Sequence, residues 1–185
     1  VVLDDDRALS VSSVTVNEGS PYAVFTVTGA NNQQTTLSLT EQNTDGANLA
    51  TLQYFNGTAW VGYTAGDVVD LSASGTLLVR VALSPEQDAS IDGPESFRLV
   101  ATSTGGTASA ADQGVGTIVD DGTGAYFAAD NNSATPAVPT GVVLDDDRAL
   151  SVSSVTVNEG SPYAVFTVTG ANNQQTTLSL TEQNT

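Results

Sequence analysis

The first 44 residues of this chain, Val1–Thr44, return without a change as Val142–Thr185. The step from Val1 to Val142 sets a period of 141 residues. That is far longer than the roughly 20–50 residues of a solenoid or propeller unit, and it matches a whole domain per repeat. The chain therefore reads as one full period and the opening of the next. Residues 1–6 are expected to end a preceding repeat or linker, 7–121 to form a domain, 122–147 to be a linker or terminal excursion that Tyr126 and Phe127 can dock on the domain, and 148–185 to start the next identical repeat. Either copy of the start segment, 7–44 or 148–185, can complete the body formed by 45–121. One copy is expected to complete its own chain, and the other to engage a neighbouring identical repeat or molecule by strand exchange.

Local patterning is all-β. Leu9–Val16 alternates with a change of phase at Ser12-Ser13, the mark of a bulge. Tyr22–Thr28 and Thr35–Glu41 follow as strands. Leu49–Phe55 and Thr58–Tyr63 flank Asn56-Gly57, a strong hairpin signal. Leu77, Val79, Val81 and Leu83 alternate against Leu78, Arg80 and Ala82, and Phe97–Ala101 and Val115–Val119 close the series. About eight short strands joined by Gly, Asn, Pro and Asp turns predict an antiparallel, immunoglobulin-like β-sandwich in tandem repeat.

Charge removes whole classes of partner. Aspartate and glutamate number 21 against four arginines, for a formal net charge of −17, and the chain holds no lysine, histidine, cysteine or methionine. Nucleic acid and anionic membrane would both be repelled. Disulfides, thiolate zinc sites, histidine general bases and lysine Schiff bases are excluded by composition. No segment resembles a signal peptide, and no apolar run approaches the roughly 20 residues of a membrane span. Membrane insertion is not expected, and secretion would be signalled elsewhere in a longer parent.

The carboxylates gather at strand ends. Glu18 follows the first strand, with Glu159 its counterpart in the second copy. Asp88, Asp92 and Glu95 lie in one turn, Asp120 and Asp121 end the last strand, and Asp4–Asp6 and Asp145, Asp146 and Asp147 mark the repeat boundaries. In an antiparallel sandwich several of these ends can converge at one pole. Two carboxylates about 4 Å apart repel by roughly 4 kcal/mol at an effective dielectric near 20. Five or six would rival a domain's whole stability of about 5–15 kcal/mol. Such a pole must splay, protonate or bind a cation, and flexible oxygen ligation favours Ca2+ over magnesium. The competing reading is a solvated acidic surface, the usual fate of acidic side chains.

Leu9–Thr28, with Glu18 in its Asn-Glu-Gly turn, resembles the first two strands of the Calx-beta family. Asp88–Phe97 is similar to that family's acidic turn, and Gly116–Asp121 to its closing strand. The resemblance covers about Ala8 to Asp121. It implies a Calx-beta-type sandwich with Glu18, Asp88, Asp92, Glu95, Asp120 and Asp121 as calcium ligands. Through the large type I-secreted adhesins that carry such domains, it also implies a calcium-rigidified repeat at the cell surface, outside the cell.

Other functions are open to such a chain. Trp60 and Tyr63, with Tyr54 and Phe55, could offer an aromatic platform to a sugar, although aromatics on a hairpin more often pack across strands. Open sheet edges and duplicated strands could drive self-assembly into an extracellular filament or matrix. No nucleophile–base constellation, phosphate-cradling loop or nucleotide motif is present, so an enzyme is not expected.

Overall fold

The computed structural model describes residues 8–43, 49–84, 93–104, 110–145, 149–170 and 176–181. Twelve strands are found among them: β1 (Ser10–Val11), β2 (Val14–Asn17), β3 (Tyr22–Thr28), β4 (Gln34–Asn43), β5 (Leu49–Phe55), β6 (Trp60–Gly62), β7 (Val69–Asp70), β8 (Thr76–Leu83), β9 (Glu95–Ser103), β10 (Ala111–Val119), β11 (Ser151–Val152) and β12 (Val168–Thr169). They form a five-stranded sheet in the order β1-β3-β8-β5-β6, a second in the order β2-β10-β9-β4-β7, and a separate β11-β12 pair. All pairings are antiparallel except β2 on β10, which is parallel.

The period-2 alternation places the core where it was expected. Leu77, Val79, Val81 and Leu83 of β8 are buried, as are Ala23, Phe25 and Val27 of β3 and Phe97, Leu99 and Ala101 of β9. The two sheets meet through Phe25 and Phe97, whose rings stack edge to face with centroids 5.9 Å apart. An aromatic pair of this geometry adds about 0.5–1.5 kcal/mol to its area burial. Gly116 makes room for it, since a Cβ there would lie 2.3 Å from the Phe97 ring.

The phase change at Ser12-Ser13 proves to be a change of sheet rather than a bulge. β1 pairs with β3 in the first sheet and β2 with β10 in the second. The two serines stitch the crossing. The Thr26 amide donates to Ser12 Oγ at 2.8 Å and the Val115 amide to Ser13 Oγ at 3.1 Å. Gly114 admits the crossing main chain, because a Cβ there would sit 2.0 Å from the Ser12 carbonyl oxygen.

The Asn56-Gly57 hairpin is also longer than the tight turn its dipeptide favours. Phe55 pairs with Trp60, leaving a four-residue loop. Asn56 Oδ1 accepts the Thr58 and Ala59 amides at 3.0 and 2.9 Å, and Gly57 supplies the positive φ of 93°.

Of residues 122–147, expected as a linker or terminal excursion, the described residues 122–145 form a strap across the sandwich. Ala125 runs parallel to Val16, with Ala125 N on Thr15 O at 2.9 Å and Asn17 N on Ala125 O at 3.0 Å. The outer edge of β2 is thereby covered, which is how edge strands are protected from foreign pairing. Phe127 is then buried in the core, its amide donating to Ser20 Oγ at 2.9 Å. No helix of the described residues is long and apolar enough to cross a membrane.

Candidate functional site

Where β2 ends, the chain places a buried amide at the centre of the pole. Asn17 is fully buried, and its Nδ2 donates to the carbonyls of Thr123 at 3.0 Å and Leu144 at 2.8 Å. Its Oδ1 accepts the Gly19 amide at 3.0 Å, the turn bond that lets the chain reverse into β3. One side chain thus closes the Asn17–Ser20 turn and pins both ends of the strap. Gly124 (φ 88°) is needed here, because a Cβ would lie 2.5 Å from the Asn17 nitrogen.

The same pole collects several of the expected acidic positions through strand register. Glu18 N donates to Val119 O at 3.0 Å, Glu95 pairs with Ile118, and Asp120 and Asp121 follow directly. A Cβ on Gly122 would lie 2.9 Å from Asp145 Cβ. Glu18 is buried, whereas its counterpart Glu159 is exposed. Asp88, Asp92, Asp146 and Asp147 lie outside the described residues.

Among the described residues, no three acidic side chains stand together closely enough to hold a metal. Asp121 shows one reason: its Oδ1 accepts the Thr123 amide at 2.9 Å and the Thr123 hydroxyl, so the carboxylate folds back onto its own turn. The Thr123 hydroxyl first, and its amide second, hold the Asp121 carboxyl below the usual carboxylate range.

The aromatic hairpin is engaged by the fold. Trp60 Nε1 donates to Asn131 O at 2.9 Å, and the ring lies against Phe55 with centroids 5.4 Å apart. The Tyr63 hydroxyl accepts the Leu37 amide at 2.9 Å and donates to Asp67 O at 2.8 Å. Arg80, buried in the outer face of β8, has its Cζ 3.8 Å from the Tyr22 ring centroid and 4.4 Å from that of Trp60. Its Nε donates to Gln53 Oε1 at 2.6 Å and its Nη1 to Ala129 O at 3.0 Å. Burial pushes the guanidinium below its ordinary value, partly offset by Tyr22. Arg80 and Trp60 together tie the middle of the strap down. An arginine inside an apolar strand run was the one sequence signal that this face would be covered.

The duplicated segment provides an internal control that few chains offer. Val24, Phe25 and Leu37 are 4%, 0% and 4% exposed, while the identical Val165, Phe166 and Leu178 are 76%, 49% and 72% exposed. Local bonds are nevertheless kept. Ser151 pairs with Thr169 and Val152 with Val168, as Ser10 pairs with Thr28 and Val11 with Val27. The Thr167 amide donates to Ser153 Oγ at 2.8 Å, and the Gly160 amide to Asn158 Oδ1 at 2.9 Å. Bonds within the segment form in both copies, and the packing supplied by a body is present in one.

No protein-family model and no curated protein matches the chain. Solved structures give weak likenesses. The periplasmic chaperone SfaE matches at 11% identity and a TM-score of 0.39, over 61% of this chain and 56% of its own. The Escherichia coli chaperone DraB matches at 10% and 0.38, over 60% and 54%. AggA, the major subunit of aggregative adherence fimbriae type I from Escherichia coli, matches at 17% and 0.35, over 64% and 97%. The chain thus spans about half the length of these chaperones. At such values no activity passes to this chain, and one further match, AvmM, is described as catalysing a macrocyclization.

These findings correct the family reading. The likeness to Calx-beta domains, carried by short acidic turns, is matched by no family model, and pilus chaperones and fimbrial subunits are among the structures found. The function read through that family, a calcium-rigidified repeat of a type I-secreted adhesin, falls with it, as do the filament or matrix repeat and the sugar module set beside it. Acidic residues at turns recur in any sandwich, because turns are where aspartate and asparagine are favoured.

Proposed function

We propose that this chain is a β-sandwich module that takes copies of its own sequence as partners, its second start segment seeking the body of another module. The observation that carries the proposal is the contrast between Phe25, fully buried, and the identical Phe166, 49% exposed. Burying a Val, Leu or Phe side chain contributes about 1.5–3 kcal/mol. The surface that does this for the first copy is known, namely β8, β9 and β10. An exported setting is part of the proposal and rests on the domain-sized β repeat and the net charge of −17 alone.

The physics of exchange is unusual because donor and incumbent are identical. Whatever packing residues 149–181 find on a second body, the displaced 8–43 give up, so exchange is close to thermoneutral. A tethered segment competes at an effective concentration on the order of millimolar. Exchange must also wait for a body to open. Native mass spectrometry on isotope-labelled and unlabelled chains tests this. Chains refolded together at high concentration should form mixed oligomers, and folded chains mixed at micromolar concentration should not. Strict monomers after concentrated refolding would contradict the proposal.

A further inference from the structure

The path of the chain through the sandwich fixes how two such modules can meet. β1 begins beside the end of β3, where Ser10 pairs with Thr28, and β2 ends beside the end of β10, where Asn17 pairs with Val119. Ser10 and Asn17 therefore stand at opposite poles, seven residues apart along two strands of one direction. At about 3.3 Å per residue this is roughly 20 Å. The chain then wanders through every other strand and the strap, and it leaves at Leu144, whose carbonyl is held by Asn17. It has come back to the pole opposite the one where it entered.

We infer that Asn17 is a clasp that fixes the exit of the chain at the pole opposite its start, so that successive modules meet pole to pole. The second start segment resumes its strand at Ser151. From Leu144 to Ser151 the chain takes seven steps, which span at most about 25 Å. Whichever body receives Ser151 and the residues after it must present its Ser10 pole within that reach of the Asn17 pole.

The inference rests on the self-association reading for its use, but its geometry is tested on isolated chains. The protein has no cysteine, so spin labels on Ser10→Cys and Val143→Cys report one distance by double electron–electron resonance at micromolar concentration. A narrow distribution centred at about 20–30 Å is expected. A centre below about 15 Å, or a broad spread, would overturn the pole-to-pole path. Adding Asn17→Ala should broaden the distribution, whereas the same change at the identical Asn158→Ala should leave it as it was. An unchanged width with Asn17→Ala would remove the clasp. Should Asn17→Ala fail to fold, Asn17→Ser, which keeps an acceptor for the Gly19 amide but is too short to reach the Thr123 and Leu144 carbonyls, should broaden the distribution in its place, and an unchanged width there would equally remove the clasp. Mixed oligomers are scored separately, so failure of association and failure of the pole-to-pole path give different results.

Discussion

Phe25 and Phe166 occupy the same place in two copies of one 44-residue sequence, yet the first is sealed between the sheets and the second is half exposed. Replacing each by alanine measures what a body supplies. Phe25→Ala removes a core ring and the edge-to-face contact with Phe97. It should cost about 3–5 kcal/mol in urea unfolding followed by Trp60 fluorescence. Phe166→Ala should change the same transition by less than about 0.5 kcal/mol.

Two glycines of β-strands should separate cleanly. Gly116→Ala drives a methyl group into the Phe97 ring, while a Cβ on Gly62 meets nothing within 4 Å. The first should destabilise by about 1–3 kcal/mol through overpacking. The second should be within about 0.5 kcal/mol of the parent, because exposed substitutions free of such conflicts rarely do more. Thermal melts of both variants provide the comparison.

Arg80 should matter beyond its charge. Arg80→Ala leaves the Ala129 carbonyl and Gln53 Oε1 without their donors and removes a cation from between Tyr22 and Trp60. Loss of these bonds and the stacking should cost about 2–4 kcal/mol. It should also make the strap near Ala129 the first site of protease cleavage. Trp60→Phe, which loses the bond to Asn131, should cost about 1 kcal/mol.

The pH dependence contributed by Asp121 has a definite sign. Its folded pKa lies below the ordinary value of 3.8, so the folded state binds its proton less readily than the unfolded chain. The stability this adds is present above pH 3.8 and is lost as pH falls through the lower, folded value. Being at the surface, it is screened and small. Thr123→Val should raise the Asp121 pKa toward normal in NMR titration and flatten that part of the acid limb.

Much of the fold was legible because two sheets with one buried face each write a period of two into their strands. β3, β8 and β9 carry it plainly. The sheet change at Ser12-Ser13 was visible as a broken phase, but a bulge breaks phase in the same way, and choosing between them needs the partner strands. The strap has the composition of a linker, and Tyr126 and Phe127 were its only legible docking residues. What docks it is a few distant contacts, Phe127 in the core and the Arg80–Ala129 and Trp60–Asn131 bonds. At the pole, the acidic neighbours drew attention and the neutral Asn17 did not. A buried side-chain amide serving three main-chain groups leaves no pattern in sequence, since asparagine is also the ordinary residue of a turn.

The repeat itself supplies the most direct test of the central claim, that one chain holds two start segments and one body to cover them. The peptide 13–25 and the peptide 154–166 have the same sequence and so the same mass, and hydrogen exchange followed by mass spectrometry reports both in one signal. That signal should split into two envelopes of equal area, one slow and one fast. The ratio should survive any exchange among chains of this sequence, because bodies and covered segments stay equal in number. A single slow envelope would mean that both copies are covered, and would contradict the account.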